Sequence, residues 1–277
     1  MQRATIRSLA TAVPPHILRQ ADVAEAARSL FAGRFDGFRR LEGIFETAGI
    51  VTRHAARPIE WYCRPLGWPE RNAAFLETAD DLFVDCAGAA LAAAGVTGAD
   101  VDTVVVATST GIATPGIEAR VGPTLGFRAD IARVPVFGLG CAAGVSGLHL
   151  ASRLAEARPG STVLFVTIEL CTLSFRLDKL TKANIVATAL FGDGAAACVL
   201  RAGDPGGIAE VEGGGSHTWP DTLQIMGWSV DSEGLGVIFD RAIPPFAEAH
   251  LGDAVRPMLD RMGMSLSDVG RMVCHPG

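Results

Sequence analysis

The stretch Val134-Pro135-Val136-Phe137-Gly138-Leu139-Gly140-Cys141-Ala142-Ala143-Gly144 passes from a short apolar run through two glycines to a cysteine, and then into an Ala/Leu-rich helical pattern. That is a strand, a sharp turn and a helix start. A thiol at a helix start meets unpaired backbone N–H groups and the positive end of the helix dipole, both of which favour the thiolate. Cys141 therefore reads as a nucleophile or, on size alone, as one more small core residue. The glycines come near the dinucleotide-binding fingerprint but miss it, because its third glycine would fall at Ala143. Their other use is to let substrate and backbone approach closely around the turn.

Outward from this stretch, a turn at Pro159-Gly160 leads to an apolar run over 162–168. Upstream, the β-branched run over 101–107 has no polar alternation, which predicts a strand covered on both faces. One more strand, 195–200, follows Phe191-Gly192-Asp193-Gly194, where the flanking glycines make Asp193 a turn residue. The order β, α, β predicts a layered α/β fold. Nearer the N-terminus we expect a strand over 5–9, a helix over 21–30, and an Arg-rich segment with Arg39, Arg40, Arg53 and Arg57. Residues 61–72, with Pro65 and Pro69, read as a loop or lid. A helix over 78–94 starts at Thr78-Ala79-Asp80-Asp81 and stops at Gly95, and another covers 117–125. Gly203-Asp204-Pro205-Gly206-Gly207 reads as a junction, dividing the chain into 1–203 and 204–277. Beyond it we expect strands over 208–212, 228–230 and 236–239, a helix after Pro244-Pro245, and another over 252–262.

A length of 277 residues with 49% apolar side chains builds a substantial core. Scattered positive residues and a net charge of −6 offer no basic face for nucleic acid. No run has the pattern of a signal peptide or the length of a membrane span. The six cysteines show no CxxC pairing, which argues against a disulfide framework and a zinc site, and the six histidines lack ligand spacing, so no metal is expected. These features together predict a cytoplasmic protein.

An internal echo bears on the organisation. Gly95-Val96-Thr97-Gly98-Ala99-Asp100-Val101 and Gly263-Met264-Ser265-Leu266-Ser267-Asp268-Val269 share the glycine and the Asp-Val at equal spacing, each between a predicted helix and a predicted strand. Either the chain duplicates one β/α unit or two helix–strand junctions are alike by chance. On the first reading Ala107 lies opposite His275, so that His275 ends an apolar strand and Pro276 turns the chain out of the sheet. A ring there is placed for chemistry, or is a half-buried histidine bonded to backbone. The second copy would then stop after its first strand, and the expectation is an incomplete second half.

Five ordered motifs carry a resemblance: Gly140-Cys141 with its helix, Glu169-Leu170-Cys171-Thr172-Leu173-Ser174-Phe175-Arg176, Ala189-Leu190-Phe191-Gly192-Asp193-Gly194-Ala195-Ala196, Gly234-Leu235-Gly236, and His275-Pro276-Gly277. Together they make the chain similar to the type III polyketide synthases, the chalcone-synthase-like enzymes of the thiolase fold. The resemblance implies a layered αβαβα fold, a homodimer, and no cofactor beyond the CoA thioesters used as substrates. An acyl group from acyl-CoA would load on Cys141 and be extended with malonyl-CoA by decarboxylative Claisen condensation. His275 would support the thiolate and donate to the thioester oxygen. Phe191 matches the family's gatekeeper phenylalanine, and Val237 stands at the place of the second.

The family's catalytic asparagine lies beyond the His-Pro-Gly motif, so no residue takes its role here, and the chain alone is expected to have little condensing activity. Pro58-Ile59-Glu60-Trp61-Tyr62, Gly67-Trp68-Pro69-Glu70-Arg71-Asn72 and Met226-Gly227-Trp228 are similar to bacterial members that make alkylresorcinols or alkylpyrones. The small Thr114 and Val237 would leave room for a long acyl chain. Two other readings stand beside this one: a thiolase-fold protein that dimerises or binds acyl-CoA without condensing, and a Cys/His thioester hydrolase.

Overall fold

Successive side chains on a strand alternate between the faces of its sheet, yet Val104, Val105 and Val106 are all buried. Protein covers both faces, which is why this run shows no polar alternation. The computed structural model describes residues 2–203 and 206–275; Asp204 and Pro205 of the expected junction, and Pro276 and Gly277 of the last motif, lie outside the described residues. In chain order the elements are β1 (Ala4–Ala12), β2 (His16–Arg19), α1 (Gln20–Phe31), α2 (Phe38–Leu41), α3 (Ile44–Thr47), β3 (Thr52–Ala55), α4 (Ile59–Tyr62), α5 (Trp68–Ala94), β4 (Thr103–Thr108), α6 (Ile117–Leu125), β5 (Ala132–Phe137), α7 (Ala143–Ala157), β6 (Val163–Leu170), α8 (Lys182–Leu190), β7 (Asp193–Ala202), β8 (Ala209–Val211), β9 (Met226–Asp231), β10 (Gly234–Phe239) and α9 (Ile243–Arg261).

The main sheet has the order β5-β4-β6-β7-β1-β8. Its β5, β4 and β6 run parallel, while β7, β1 and β8 continue it antiparallel. One face, with Val104, Val106, Leu164, Val166 and Ile168, packs in a core with α5; the other, with Val105, Val163 and Phe165, packs against Ala143, Ala151 and Ala155 of α7. Helix, sheet and helix thus form the layered α/β arrangement expected from the sequence. Gly147 lets α7 come close, since a Cβ there would sit 2.4 Å from the Phe165 ring.

Several elements differ from expectation. Residues 61–72 are largely helical, because Pro69 suits a first helical turn and the Glu70 carboxylate accepts from the Gly67 N–H at 3.1 Å. Thr78, the expected cap, lies buried within α5, where its hydroxyl accepts from Arg57. Helix α8 has no counterpart in the expectation. Two expected C-terminal helices are one, since Pro257 in α9 is exposed and water can satisfy the carbonyl it frees. Beyond the expected junction, β8 pairs back onto β1.

The echo has a structural counterpart. Each helix ends at a glycine with φ near +70°, Gly95 and Gly263. Each is followed by a short 3-10 turn, Gly98–Asp100 or Leu266–Asp268. Asp100 accepts from the Thr97 N–H and hydroxyl, and Asp268 accepts from those of Ser265. After the first turn the chain enters β4, whereas residues 269–275 form no strand. Val273 is 91% exposed; an apolar run forms a strand only where a neighbour completes its hydrogen-bond ladder. The expected strand ending at His275 is corrected accordingly.

The β9–β10 hairpin forms a separate two-stranded sheet. It is fixed to the layered body through Arg176, which is 1% exposed: its Nη1 donates to Asp231 at 2.8 Å and its Nε to Asp178 at 2.6 Å. Lys179 joins Asp231 from the other side at 2.9 Å.

Candidate active site

The turn between β5 and α7 carries Gly138 and Gly140 at φ 92° and 52°, and delivers Cys141 into a 3-10 turn, Gly140–Ala142, ahead of α7. Cys141 is exposed as a residue. The protein around its thiol nevertheless pushes the pKa up, and the Glu169 carboxylate adds to the rise; a backbone hydrogen bond opposes them without prevailing. The expectation of a thiolate favoured by the helix start is therefore corrected, since desolvation and a nearby carboxylate outweigh the backbone donors.

Glu169 leaves the C-terminal end of β6 beside the thiol. Its Oε1 accepts from the Ser109 hydroxyl at 2.9 Å and its Oε2 from the Ser109 N–H at 3.2 Å. Burial raises its own pKa against these bonds. Cys171 follows in the 3-10 turn Cys171–Ser174; its pKa is pushed well up by burial, then by Glu169, Asp193 and Cys141. The two thiols and the carboxylate thus lie close enough to act on one another's charge.

Cys171 also lines a small apolar pocket between α1, α4, α8 and the Cys171–Ser174 turn. Leu18, Val23, Ala27, Leu30, Ile59 and Phe175 supply its hydrocarbon surface, and Phe191 closes one side. The Phe191 ring meets Trp228 edge-on at 6.1 Å and Phe239 at 6.5 Å, so the β9–β10 hairpin packs against it.

Of the residues expected from sequence, Phe191 lines the pocket, and Val237 lies in the hairpin opposite Trp228. Thr114 is exposed just before Pro115, and neither it nor Val237 lines the pocket. His275 is exposed, and among the described residues no hydrogen bond joins its imidazole to Cys141. Of the Arg-rich segment, Arg40 is exposed and Arg53 buried. Asp193, expected as a turn residue, is instead a buried acceptor opening β7, with a pKa raised by burial to about 6. The signal that could have exposed it is an acid at the head of a strand that is otherwise apolar on both faces. Cys171 and Tyr62 were quoted only within longer motifs and given no role of their own, and Ser109, a small polar residue ending an apolar run, gave no signal.

Residues 68–205 match the N-terminal domain of chalcone and stilbene synthases. The 1,3,6,8-tetrahydroxynaphthalene synthase of Streptomyces peucetius subsp. caesius is 39% identical over 99% of this chain and 73% of its own length. The alpha-pyrone synthesis polyketide synthase-like Pks18 of Mycobacterium tuberculosis is 30% identical over 99% of this chain and 72% of its own. The crystal structure of 1,3,6,8-tetrahydroxynaphthalene synthase from Streptomyces coelicolor A3(2), a bacterial type III polyketide synthase, superposes with a TM-score of 0.88. It is 27% identical and matches 96% of this chain and 75% of that one.

Proposed function

The chain belongs to the type III polyketide synthases, acyltransferases of the chalcone and stilbene synthase family, and from that premise we propose that it condenses malonyl-CoA onto a long-chain fatty acyl starter carried by Cys141. Sγ attacks the thioester carbonyl, the carbonyl–sulfur bond to CoA breaks, and CoA leaves with the proton of the thiol. Loss of CO₂ from malonyl-CoA leaves the electron pair of the broken bond on C2 as an enolate. That carbon attacks the acyl group and expels the Cys141 thiolate, giving a β-ketoacyl-CoA ready for further rounds and for closure to an alkylpyrone or alkylresorcinol.

The single observation that carries the starter assignment is the apolar pocket lined by Cys171 and Phe191. Its walls match hydrocarbon, and each buried methylene contributes about 0.8 kcal/mol. The described neighbours of Cys141 raise its pKa, and a cation near Sγ would oppose them. His275 is the group we assign to that role.

A second reading is favoured by the 39% identical relative, whose named product is an aromatic without an alkyl side chain; on that reading malonyl-CoA alone is starter and extender. Mass spectrometry of Cys141 peptides after incubation with palmitoyl-CoA and malonyl-CoA separates the two. We expect a fatty acyl adduct on Cys141, with little malonyl-dependent product from this chain alone. Exclusive malonyl loading would favour the second reading, and rapid thioester hydrolysis needing no malonyl-CoA would sink both.

A further inference from the structure

Behind the pocket lies a buried polar network that the condensation does not use. Asp193 is 8% exposed. Its Oδ1 accepts from the Thr172 N–H at 2.8 Å, and its Oδ2 accepts from the Thr172 hydroxyl at 2.6 Å and from the Ala56 N–H at 2.7 Å. Because Thr172 gives its only hydroxyl proton to Asp193, the Tyr62 hydroxyl 2.6 Å away donates to Thr172. Arg53, equally buried, donates from Nη1 to the carbonyls of Thr188 at 2.5 Å and Phe191 at 3.1 Å. Its Nε and Nη2 are buried and have no partner among the described residues. The nearby Asp193 charge is what opposes the cost of burying this guanidinium.

Resting on the acyl-pocket reading above, we propose that Asp193 and Arg53 are positioning residues that fix the spacing of two pocket walls and thereby set the acyl chain length that Cys141 accepts. Arg53 holds the Phe191 end of α8, and Asp193 holds the Cys171–Ser174 turn together with Tyr62. Arg53, Tyr62, Thr172 and Phe191 all line the pocket; Asp193 stands behind them and acts only through them. Phe191 and Asp193 are two residues apart, so both walls are pinned from nearly the same point on the chain. A wall held in this way keeps the far methylenes of a long chain in contact, each worth about fourfold in selectivity. A loosened wall loses those contacts first and leaves short chains nearly unaffected.

The test is an internal competition. The full chain meets equimolar octanoyl-CoA and palmitoyl-CoA, and peptide mass spectrometry reads the ratio of the two adducts on Cys141. That ratio is independent of how much protein is folded, so a merely structural role leaves it unmoved. We expect the wild type to favour palmitoyl, and Asp193→Asn and Thr172→Val to shift the ratio toward octanoyl by fourfold or more. If Asp193→Asn does not fold, Thr172→Val carries the test, since it removes one hydroxyl and keeps the charged pair. A smaller shift in the folded variants overturns the inference. Ala27→Phe, which fills the pocket from α1, separates this failure from that of the premise. A wild type that loads neither starter, or a chain-length preference that Ala27→Phe leaves untouched, overturns the acyl-pocket reading itself. A preference that Ala27→Phe abolishes and the other two variants leave intact overturns only the positioning role.

Discussion

Cys141 stands among described surroundings that work against its ionisation. Burial and the Glu169 carboxylate both raise its pKa, and the sign of each effect follows from their penalising the thiolate. Glu169→Gln removes the carboxylate charge while keeping an acceptor for Ser109. The pH midpoint of iodoacetamide labelling at Cys141 should then fall, and labelling at pH 8 should quicken, because more of the thiol is ionised below the old midpoint. An unchanged or higher midpoint would show that Glu169 does not act on the sulfur. The place of Cys141 between a strand and a helix was legible in sequence. Its pKa was not, because Glu169 stands 28 positions away and reaches the thiol only once β6 lies beside β4. The same holds for Asp193, whose partners Ala56 and Thr172 come from other elements.

Elements with both faces buried were the easiest to find, and those that depend on distant neighbours the hardest. β4, β6 and β7 announced themselves as apolar runs, whereas α8 is short and the first turns of α5 were hidden behind two prolines. The contact of α7 with β6 is equally silent in sequence, because it depends on the absence of a side chain at Gly147. A Cβ there would overlap the Phe165 ring, whose atoms lie 2.4 and 2.5 Å from its position. Alanine is otherwise the better helix former by about 1 kcal/mol, so propensity and packing oppose each other. We expect packing to prevail and Gly147→Ala to lower stability by about 1–3 kcal/mol, read from the urea midpoint. A stabilised variant would show that α7 can shift away without loss.

At the scale of the whole molecule, the layered body and the β9–β10 hairpin meet at the Phe191 ring and are joined by charge. Arg176 keeps Asp178 if Asp231 is lost, so the buried guanidinium stays paired while the hairpin loses its link to Arg176 and Lys179. Asp231→Asn should therefore leave the body intact and speed amide exchange selectively over 226–239, measured by hydrogen–deuterium exchange. Equal protection in variant and wild type would mean that the aromatic contacts hold the hairpin unaided. The sequence showed the hairpin strands and the echo between the two helix–turn units, but not this link, because ion pairs between separated elements leave no periodic trace.

The position of β1 in the main sheet has a consequence in time. Although it precedes both of its neighbours by a long stretch of chain, β1 lies between β7 and β8, with Ala4 opposite Ala202 on one side and Val211 on the other. A ribosome adding roughly 5–20 residues per second takes about 10–40 s to cover that separation. Until then β1 has neither of its neighbours in the sheet, and the parallel strands β4, β5 and β6 have emerged without the antiparallel half that completes it. The N-terminal strand is thus among the last to be seated, and closing so long a loop makes this a slow step of folding.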